Sequence, residues 1–375
     1  MRRASGIAIS ALLGCLGAPL PVGAVQAAPV TSEFTSLPAR YSFRETVRVT
    51  NPSRRPALNV VARVILLPPP TPYSRVRLIG LSTHPAETQL DRSGNTIGVF
   101  RFAELGAHQT KILVLHYVDV SRAIAYHFPR HIAPYQVHSA LYRLFTNRRY
   151  EYHQGVNTDA PSVMAVVRKV TRGLNNPVAR AKALFTWEVN HIRYSHGFNA
   201  SGGAVATLKR GRGICSDFAE LYAALLRTDG IPARLVGGYV VNNGGSQAGF
   251  HEWDEFFVPA IGWVVADPTW GRFGYFARLQ DNWHVSLYGG IVPEVAVSYY
   301  VSRFERTGLS ASTSYQFVSE QHSLSSLPAM KPLPVLRVEA PSTTTHTART
   351  AGWWDRIHHW LSAVARVVSR GLSAL

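Results

Sequence analysis

The sequence predicts an α+β protein with two folded domains, an all-β domain followed by one that mixes helices and strands. With 375 residues, the chain is longer than one ordinary hydrophobic core requires. Its 46% hydrophobic and 16% charged residues are typical of a globular protein. Short β-type runs fill the chain from Pro29 to Tyr150, whereas apolar residues at helical spacing begin only near Pro161.

The first 27 residues are predicted to be a signal peptide. Two arginines precede an apolar run that is too short for a permanent membrane-spanning helix, and Val25 and Ala27 form a small-residue cleavage site. The alternative is a lipoprotein anchored through Cys15, because "LLGC" resembles a lipoprotein box. Simple cleavage is favoured, and with either form the protein is predicted to be secreted or periplasmic.

Residues 29–152 are predicted to form an immunoglobulin-like β-sandwich. The run "FRETVRVT" alternates between apolar and polar residues, and "ALNVVARVILL" is stopped by three prolines, which cannot continue a central strand. The run "TKILVLHYVDV" is rich in β-branched residues and nearly continuously apolar. Several short strands with turn sequences between them are typical of an antiparallel sandwich.

Residues 158–320 are predicted to form the mixed domain, with helices first and an antiparallel sheet after them. Pro161 and Pro177 stand where helices begin, because the missing N–H of proline costs nothing in a first turn. The runs "ARLVGGYVV", "HEWDEFFV" and "GWVVADPTW" predict three strands, and a tight turn joins the last two.

Two further segments follow this domain. Residues 321–350 are rich in Ser, Thr and Pro and are predicted to be a linker. Residues 351–375 combine apolar residues at helical spacing with arginines, which predicts a basic amphipathic helix. Such a helix would either lie on an anionic envelope or membrane surface or dock on a protein, and the sequence favours neither.

The formal net charge of +17 has two interpretations. It reflects either arginines spread over an ordinary surface or an attraction to anionic envelope polymers. The sequence contains no nucleic-acid-binding module, so no nucleic-acid partner is expected. The 15 histidines show no metal-ligand spacing, and no phosphate-binding glycine motif occurs, so neither a metal nor another cofactor is expected.

Cys215 is the residue that the sequence singles out for chemistry. With Cys15 removed or lipidated, it has no disulfide partner in a compartment that favours disulfides. It begins a predicted helix, where backbone N–H groups and the helix dipole favour a thiolate. His251 begins one predicted strand and Asp267 ends the adjacent one, so the two side chains would face each other, with His251 as the base and Asp267 as the residue that orients it. Spacing alone leaves open a buried cysteine that only packs, a surface histidine and a turn-forming aspartate.

Four segments in order, "GICSDFAELYAALL", "GIPAR", "HEWDEFF" and "ADPT", closely resemble the motifs of the transglutaminase-like superfamily. The resemblance covers about residues 160–275. It implies a papain-like fold in which the helix carrying the cysteine packs on an antiparallel sheet. It also implies Cys215 as nucleophile, His251 as general base and acid, and Asp267 as the residue that orients the histidine.

The expected function is that of an exported cysteine enzyme, a protease or a transglutaminase, acting on a protein or peptide. The thiolate would attack a peptide or carboxamide carbonyl, and the resulting thioester would pass its acyl group to water or to an amine. The alternative is a non-catalytic envelope scaffold that binds peptides with the same fold. The presence of all three triad residues favours the enzyme.

Overall fold

The computed structural model describes residues 32–151, 154–195, 202–241, 248–291, 295–300 and 308–320. All of them belong to one compact unit, Met1–His322. The predicted signal peptide, Cys15, the linker 321–350 and the helix 351–375 lie outside the described residues. Among the described helices, none has the length and apolar character needed to span a membrane.

Strands make up the N-terminal region, and helices separate them from a second group of strands. The first strands are β1 (Ser32–Phe34), β2 (Ala39–Thr50), β3 (Ala57–Leu67), β4 (Ser74–Leu81), β5 (Glu87–Leu90), β6 (Thr96–Leu105), β7 (Thr110–Ser121) and β8 (Ile124–Tyr126). The helices are α1 (Ala140–Phe145), α2 (Pro161–Val170), α3 (Pro177–His191), α4 (Gly203–Arg210) and α5 (Cys215–Thr228). The later strands are β9 (Arg193–Tyr194), β10 (Arg212–Gly213), β11 (Ala233–Val241), β12 (Ala248–Val258), β13 (Gly262–Ala266), β14 (Arg278–Leu279), β15 (His284–Gly289), β16 (Val295–Tyr300) and β17 (Ser310–Glu320).

The N-terminal strands form two four-stranded antiparallel sheets, in the orders β16–β3–β6–β5 and β17–β2–β7–β4. In β2, buried residues such as Val47 and Val49 alternate with more exposed ones, because successive side chains of a strand point to opposite faces. Buried side chains of both sheets, including Val60 and Leu115, belong to one hydrophobic cluster. That these sheets are an immunoglobulin-like sandwich stays a prediction.

The last two strands differ from the predicted domain boundary. The sequence placed everything from 158 to 320 in the mixed domain, but β16 pairs with β3 and β17 pairs with β2 along its whole length. The alternating pattern of a strand predicts that it has one buried face, but not which distant strand supplies its hydrogen bonds. Residues 295–320 therefore complete the N-terminal sheets, and the predicted division at about residue 155 separates strands that pair.

The mixed part of the fold is built on a third four-stranded antiparallel sheet, in the order β13–β12–β11–β15. Helix α5 packs against it, and its Leu221 and Leu225 share a core with Leu235 and Phe256 of the sheet. Strand β15 also contributes Val285 and other side chains to the core of the N-terminal sheets. The α+β class is confirmed, and the two parts of the fold share buried contacts.

Local signals placed three of the helices correctly. Helices α2 and α3 begin at Pro161 and Pro177, and the Asn176 side chain accepts hydrogen bonds from the first-turn N–H groups of α3. Helix α5 begins at Cys215, as its sequence predicted. Helix α4 was not predicted, because glycine at its start is a poor signal for a helix.

Candidate active site

Two glycines precede α5, and each position excludes a larger residue for a different steric reason. Gly211 has a φ of +63°, a left-handed conformation that ends α4. Gly213 is buried against α5, where a Cβ would collide with the side chain of Asp217. The Asp217 carboxylate accepts a hydrogen bond from the backbone N–H of Ile214 at 3.0 Å. These contacts make Cys215 the first residue of the helix.

Asp217 also ties the start of α5 to α4. Its buried carboxylate forms an ion pair with Arg210 at 2.7 Å and accepts a hydrogen bond from Thr207 at 3.2 Å. Ile214, which precedes the helix, has no side-chain acceptor and leaves the N–H groups of the first turn uncapped. The first turn can therefore donate hydrogen bonds to an anion beside Cys215.

His251 and Asp267 come from neighbouring strands and meet side by side. Strand pairing places Asp254 opposite Ala266, so the chain just after β13 brings Asp267 next to Trp253 and two residues from His251. The two residues are thus diagonal neighbours rather than directly opposite, as the sequence had suggested. His251 Nε2 and Asp267 Oδ2 are 2.8 Å apart, and both side chains are buried.

The electrostatics of this pair favour a charged imidazole. Burial by itself would lower the pKa of His251, but the Asp267 carboxylate and the Cys215 sulfur raise it to about 10. Burial would raise the pKa of Asp267, but His251 and His284 hold it well below its ordinary value. Because Nε2 is bonded to Asp267, Nδ1 is the ring nitrogen left for Cys215. An imidazolium held beside a sulfur stabilises the thiolate.

Two further residues of β12 fix the strand that carries His251. Trp253 is fully buried and donates a hydrogen bond from its indole N–H to the Tyr73 hydroxyl at 2.7 Å. Glu255 forms a buried ion pair with Arg234 at 2.6 Å. Both residues therefore anchor the strand that carries the histidine.

A second histidine, His284, lies next to Asp267, and the sequence analysis did not identify it. His284 Nε2 lies 3.4 Å from Asp267 Oδ2, and its Nδ1 lies 2.9 Å from Asp281 Oδ1. The Tyr275 hydroxyl donates to Asp281 at 2.6 Å. Burial would lower the pKa of His284, but Asp281 and Asp267 raise it. No motif marked His284, because β15 reaches the site only through its pairing with β11.

The donor atoms of His251, Asp267 and His284 lie within 4.8 Å of one another, a set that could hold a metal ion. Two imidazoles and a carboxylate are ligands that zinc accepts. Here the hydrogen bonds at 2.8 and 3.4 Å already satisfy these atoms, so a cation would have to displace the protons that join them. The mutual hydrogen bonds account for the cluster, and the absence of a metal stays a prediction.

A cavity of about 560 Å³ lies near the three predicted triad residues, and Phe218 and Trp270 are part of its wall. The Trp270 ring in its wall stacks on His251, with ring centroids 5.4 Å apart. Burial, followed by the charges of Cys215 and Asp267, raises the pKa of Tyr194, another wall residue. The lining also includes apolar residues and two arginines, namely Ile192, Phe218, Arg193 and Arg272.

The geometry agrees with what comparison with known proteins finds. The family model of the transglutaminase-like superfamily matches residues 164–268, a range that contains all three predicted triad residues. Over 66 residues, or 16% of this chain, the protein is 39% identical to a protein-glutamine gamma-glutamyltransferase of Pseudomonas aeruginosa. Over 71 residues it is 38% identical to the uncharacterised protein YebA of Bacillus subtilis. The matched region spans 10% of the length of each of these two curated relatives.

Among solved structures, a chain from Cytophaga hutchinsonii described as a candidate cysteine protease aligns with a TM-score of 0.54 at 16% identity. The alignment covers 77% of this chain and 93% of that one, so the likeness extends beyond the helix and sheet of the site to most of the fold. At that identity the likeness concerns the fold alone. The motif order and the matched range agree: residues 164–268 of this chain match the model of the transglutaminase-like superfamily.

Proposed function

We propose that the protein is a cysteine enzyme that transfers acyl groups from peptide or carboxamide carbonyls through a thioester on Cys215. The observation that carries this proposal is the buried His251, which is hydrogen-bonded to Asp267 at 2.8 Å and lies within hydrogen-bonding range of the Cys215 side chain. Covalent acyl transfer requires a nucleophile, a general base and a group that orients the base.

The reaction follows from these positions. The Cys215 thiolate attacks the carbonyl carbon, and the carbonyl π electrons move to oxygen, where the first-turn N–H groups of α5 can stabilise the oxyanion. As the intermediate collapses, the C–N bond breaks, and His251 gives its proton to the departing amine. The product is a thioester on Cys215 and a neutral imidazole held by Asp267.

The second half of the reaction regenerates the starting state. His251 takes a proton from water or from an amine as that molecule attacks the thioester carbonyl, and Cys215 leaves as thiolate beside the renewed imidazolium. Attack by water completes hydrolysis, as in a protease, and attack by an amine completes a crosslink, as in a transglutaminase. The name of the Pseudomonas aeruginosa relative makes the amine acceptor the first to be tested.

The test measures both outcomes on the same protein. Incorporation of a fluorescent primary amine into an unfolded glutamine-rich protein reports acyl transfer, and release of a fluorophore from a quenched peptide reports hydrolysis. We expect at least one activity in the wild type, its loss in Cys215→Ala, and its retention in the matched control Ser216→Ala.

Alkylation of the thiol by iodoacetamide gives an independent check. If Cys215 reacts near neutral pH no faster than a free thiol, and Cys215→Ala keeps full activity, the proposal is wrong. Peptide binding without turnover by both proteins would instead support the scaffold alternative.

We also propose that the protein acts outside the cytoplasm. The basic and apolar N-terminal residues and the small residues at Val25 and Ala27 support export. N-terminal sequencing of the protein recovered from cell fractions tests this proposal. We expect a mature chain that begins at Ala28, whereas a lipidated Cys15 would identify a lipoprotein and an intact cytoplasmic chain would contradict export.

A further inference from the structure

We propose that the cavity beside Cys215 is a substrate subsite for a peptide segment in which a large apolar side chain stands next to an acidic residue. The proposal rests on the proposed function for the position of the reacting carbonyl. The binding preference itself requires no catalysis, so the two can be tested apart.

The position of the cavity makes it a subsite rather than a remote pocket. Trp270 in its wall stacks on His251, and Phe218 lies one helical turn after Cys215. Tyr194 lies near enough to Cys215 for the sulfur to affect the pKa of its phenol. A peptide whose carbonyl reaches the thiol would therefore place a neighbouring residue in this cavity.

The apolar part of the preference comes from the walls. Ile192, Tyr194, Phe218 and Trp270 present aliphatic and aromatic surface, which gains free energy when a side chain covers it. The volume of about 560 Å³ lies within the range that holds a small molecule. One aromatic side chain leaves part of this space for its neighbour in the peptide.

The acidic part of the preference comes from the two arginines of the lining. Arg193 on β9 and Arg272 in the turn after β13 are both exposed. Within the described part of the chain, no carboxylate forms an ion pair with either guanidinium, and no acidic residue lines the cavity. The nearby carboxylate of Asp267 is buried and hydrogen-bonded to His251. The charge of the cavity is therefore uniformly positive, and it complements a carboxylate.

The experiment measures binding to the full-length Cys215→Ala protein, so that no peptide is consumed. Three capped hexapeptides share one phenylalanine and differ only in its neighbour, which is Glu, Gln or Lys. Calorimetric titration should show that the Glu peptide binds about three- to tenfold more tightly than the Gln peptide, as expected for exposed ion pairs. The Lys peptide should bind most weakly, and the differences should shrink in about 0.5 M salt.

Variants assign the preference to the two arginines. Arg193→Gln with Arg272→Gln should make Glu and Gln peptides bind equally, whereas the matched control Arg168→Gln on α2 should keep the difference. Both arginines are exposed, so the substitutions leave the buried core unchanged. Replacing the phenylalanine of the peptide by alanine should weaken binding of all three.

Equal affinity of the wild-type cavity for Glu, Gln and Lys peptides would overturn the acidic preference. A preference that persists after both arginines are replaced would place the acidic site elsewhere and also overturn the inference. If the preference is found but the wild type turns over no peptide, the subsite is supported while the proposed reaction fails.

Discussion

At the scale of single residues, the site depends on an imidazole held between a sulfur and a carboxylate. The substitution Asp267→Asn removes the charge that most strongly raises the pKa of His251 and allows the ring to adopt the wrong tautomer. We expect kcat to fall by about 10³–10⁴-fold, as for other triads that lose their carboxylate.

The pH dependence of kcat/KM provides a second test of Asp267→Asn, because the direction of its shift can be predicted. In the proposed reaction the imidazolium protonates the leaving amine, and the wild type should keep it charged up to a pH of about 10. Without the Asp267 carboxylate the pKa of His251 falls, so the alkaline limb of kcat/KM should move to lower pH. An unchanged limb in the variant would show that Asp267 does not control the charge of His251.

His284 is expected to act as a positioning residue for Asp267. Its ring joins Asp281 to Asp267, and these two carboxylates raise its pKa, which favours a positive charge beside Asp267. His284→Gln should lower kcat about tenfold by loosening Asp267, within the range for residues that orient catalytic groups. Loss of the positive charge should raise the pKa of His251 and move the alkaline limb to higher pH, opposite to Asp267→Asn.

The control for this prediction is Tyr275→Phe, which removes only the outer hydrogen bond to Asp281. It should leave the pH profile in place. If His284→Gln merely lowers stability and the profile of the folded protein stays unchanged, His284 has a structural role only.

At the scale of the elements, helix α3 buries a carboxyl group without a partner. Neither oxygen of Glu188 has a hydrogen-bond partner among the described residues, and burial raises the pKa of this carboxyl well above its ordinary value. The folded protein therefore holds a proton on Glu188 that the unfolded chain releases above a pKa of about 4.3. The free energy of unfolding should decrease as pH rises from that value toward the raised pKa.

Glu188→Gln removes this pH dependence. Its free energy of unfolding should exceed that of the wild type by an amount that grows between about pH 5 and about pH 8. Urea denaturation at both pH values measures this difference in the free energy of unfolding. Glu104 on β6 is exposed, so the control Glu104→Gln should show no such trend. A wild type that is equally stable at both values would mean that Glu188 is ionised in the folded protein.

Prediction from sequence worked well for elements whose signals are local. The starts of α2, α3 and α5 follow from proline, an N-cap and a glycine approach, all within a few residues of each helix. The strand "ARLVGGYVV" matches β11 residue for residue. In contrast, the pairing of β16 and β17 with the N-terminal strands was not predicted, because their partners lie more than two hundred residues earlier.

At the scale of the whole molecule, the N-terminal sheets hold in place the sheet that carries His251 and His284. The Ser121 hydroxyl donates to the His284 carbonyl at 3.1 Å, and the Ser286 N–H donates to the Ser74 hydroxyl at 3.0 Å. The fully buried Trp253 beside His251 is bonded to Tyr73 of the same region. Removal of the N-terminal region would therefore expose the strands that carry His251 and His284.

A fragment of residues 158–320 should consequently fail to fold, because β16 and β17 lose their partners and the core around Val285 is exposed. A chain of residues 29–320 should fold and keep the reactivity of Cys215. Circular dichroism during thermal unfolding, together with iodoacetamide labelling, measures both. Cooperative unfolding of the 158–320 fragment with normal labelling would contradict this prediction and restore the predicted domain boundary.

The sequence by itself determined the α+β class and the main helix starts, and it singled out Cys215, His251 and Asp267 as candidates, because these depend on local backbone preferences and short ordered motifs. Only the tertiary structure decided that β16 and β17 complete the N-terminal sheets, that His284 lies next to Asp267, and that Arg193 and Arg272 line a cavity near the predicted triad. Those arrangements join residues far apart in the chain. They arise when buried surface and backbone hydrogen bonds are shared between whole elements, a free energy that no short stretch of sequence contains.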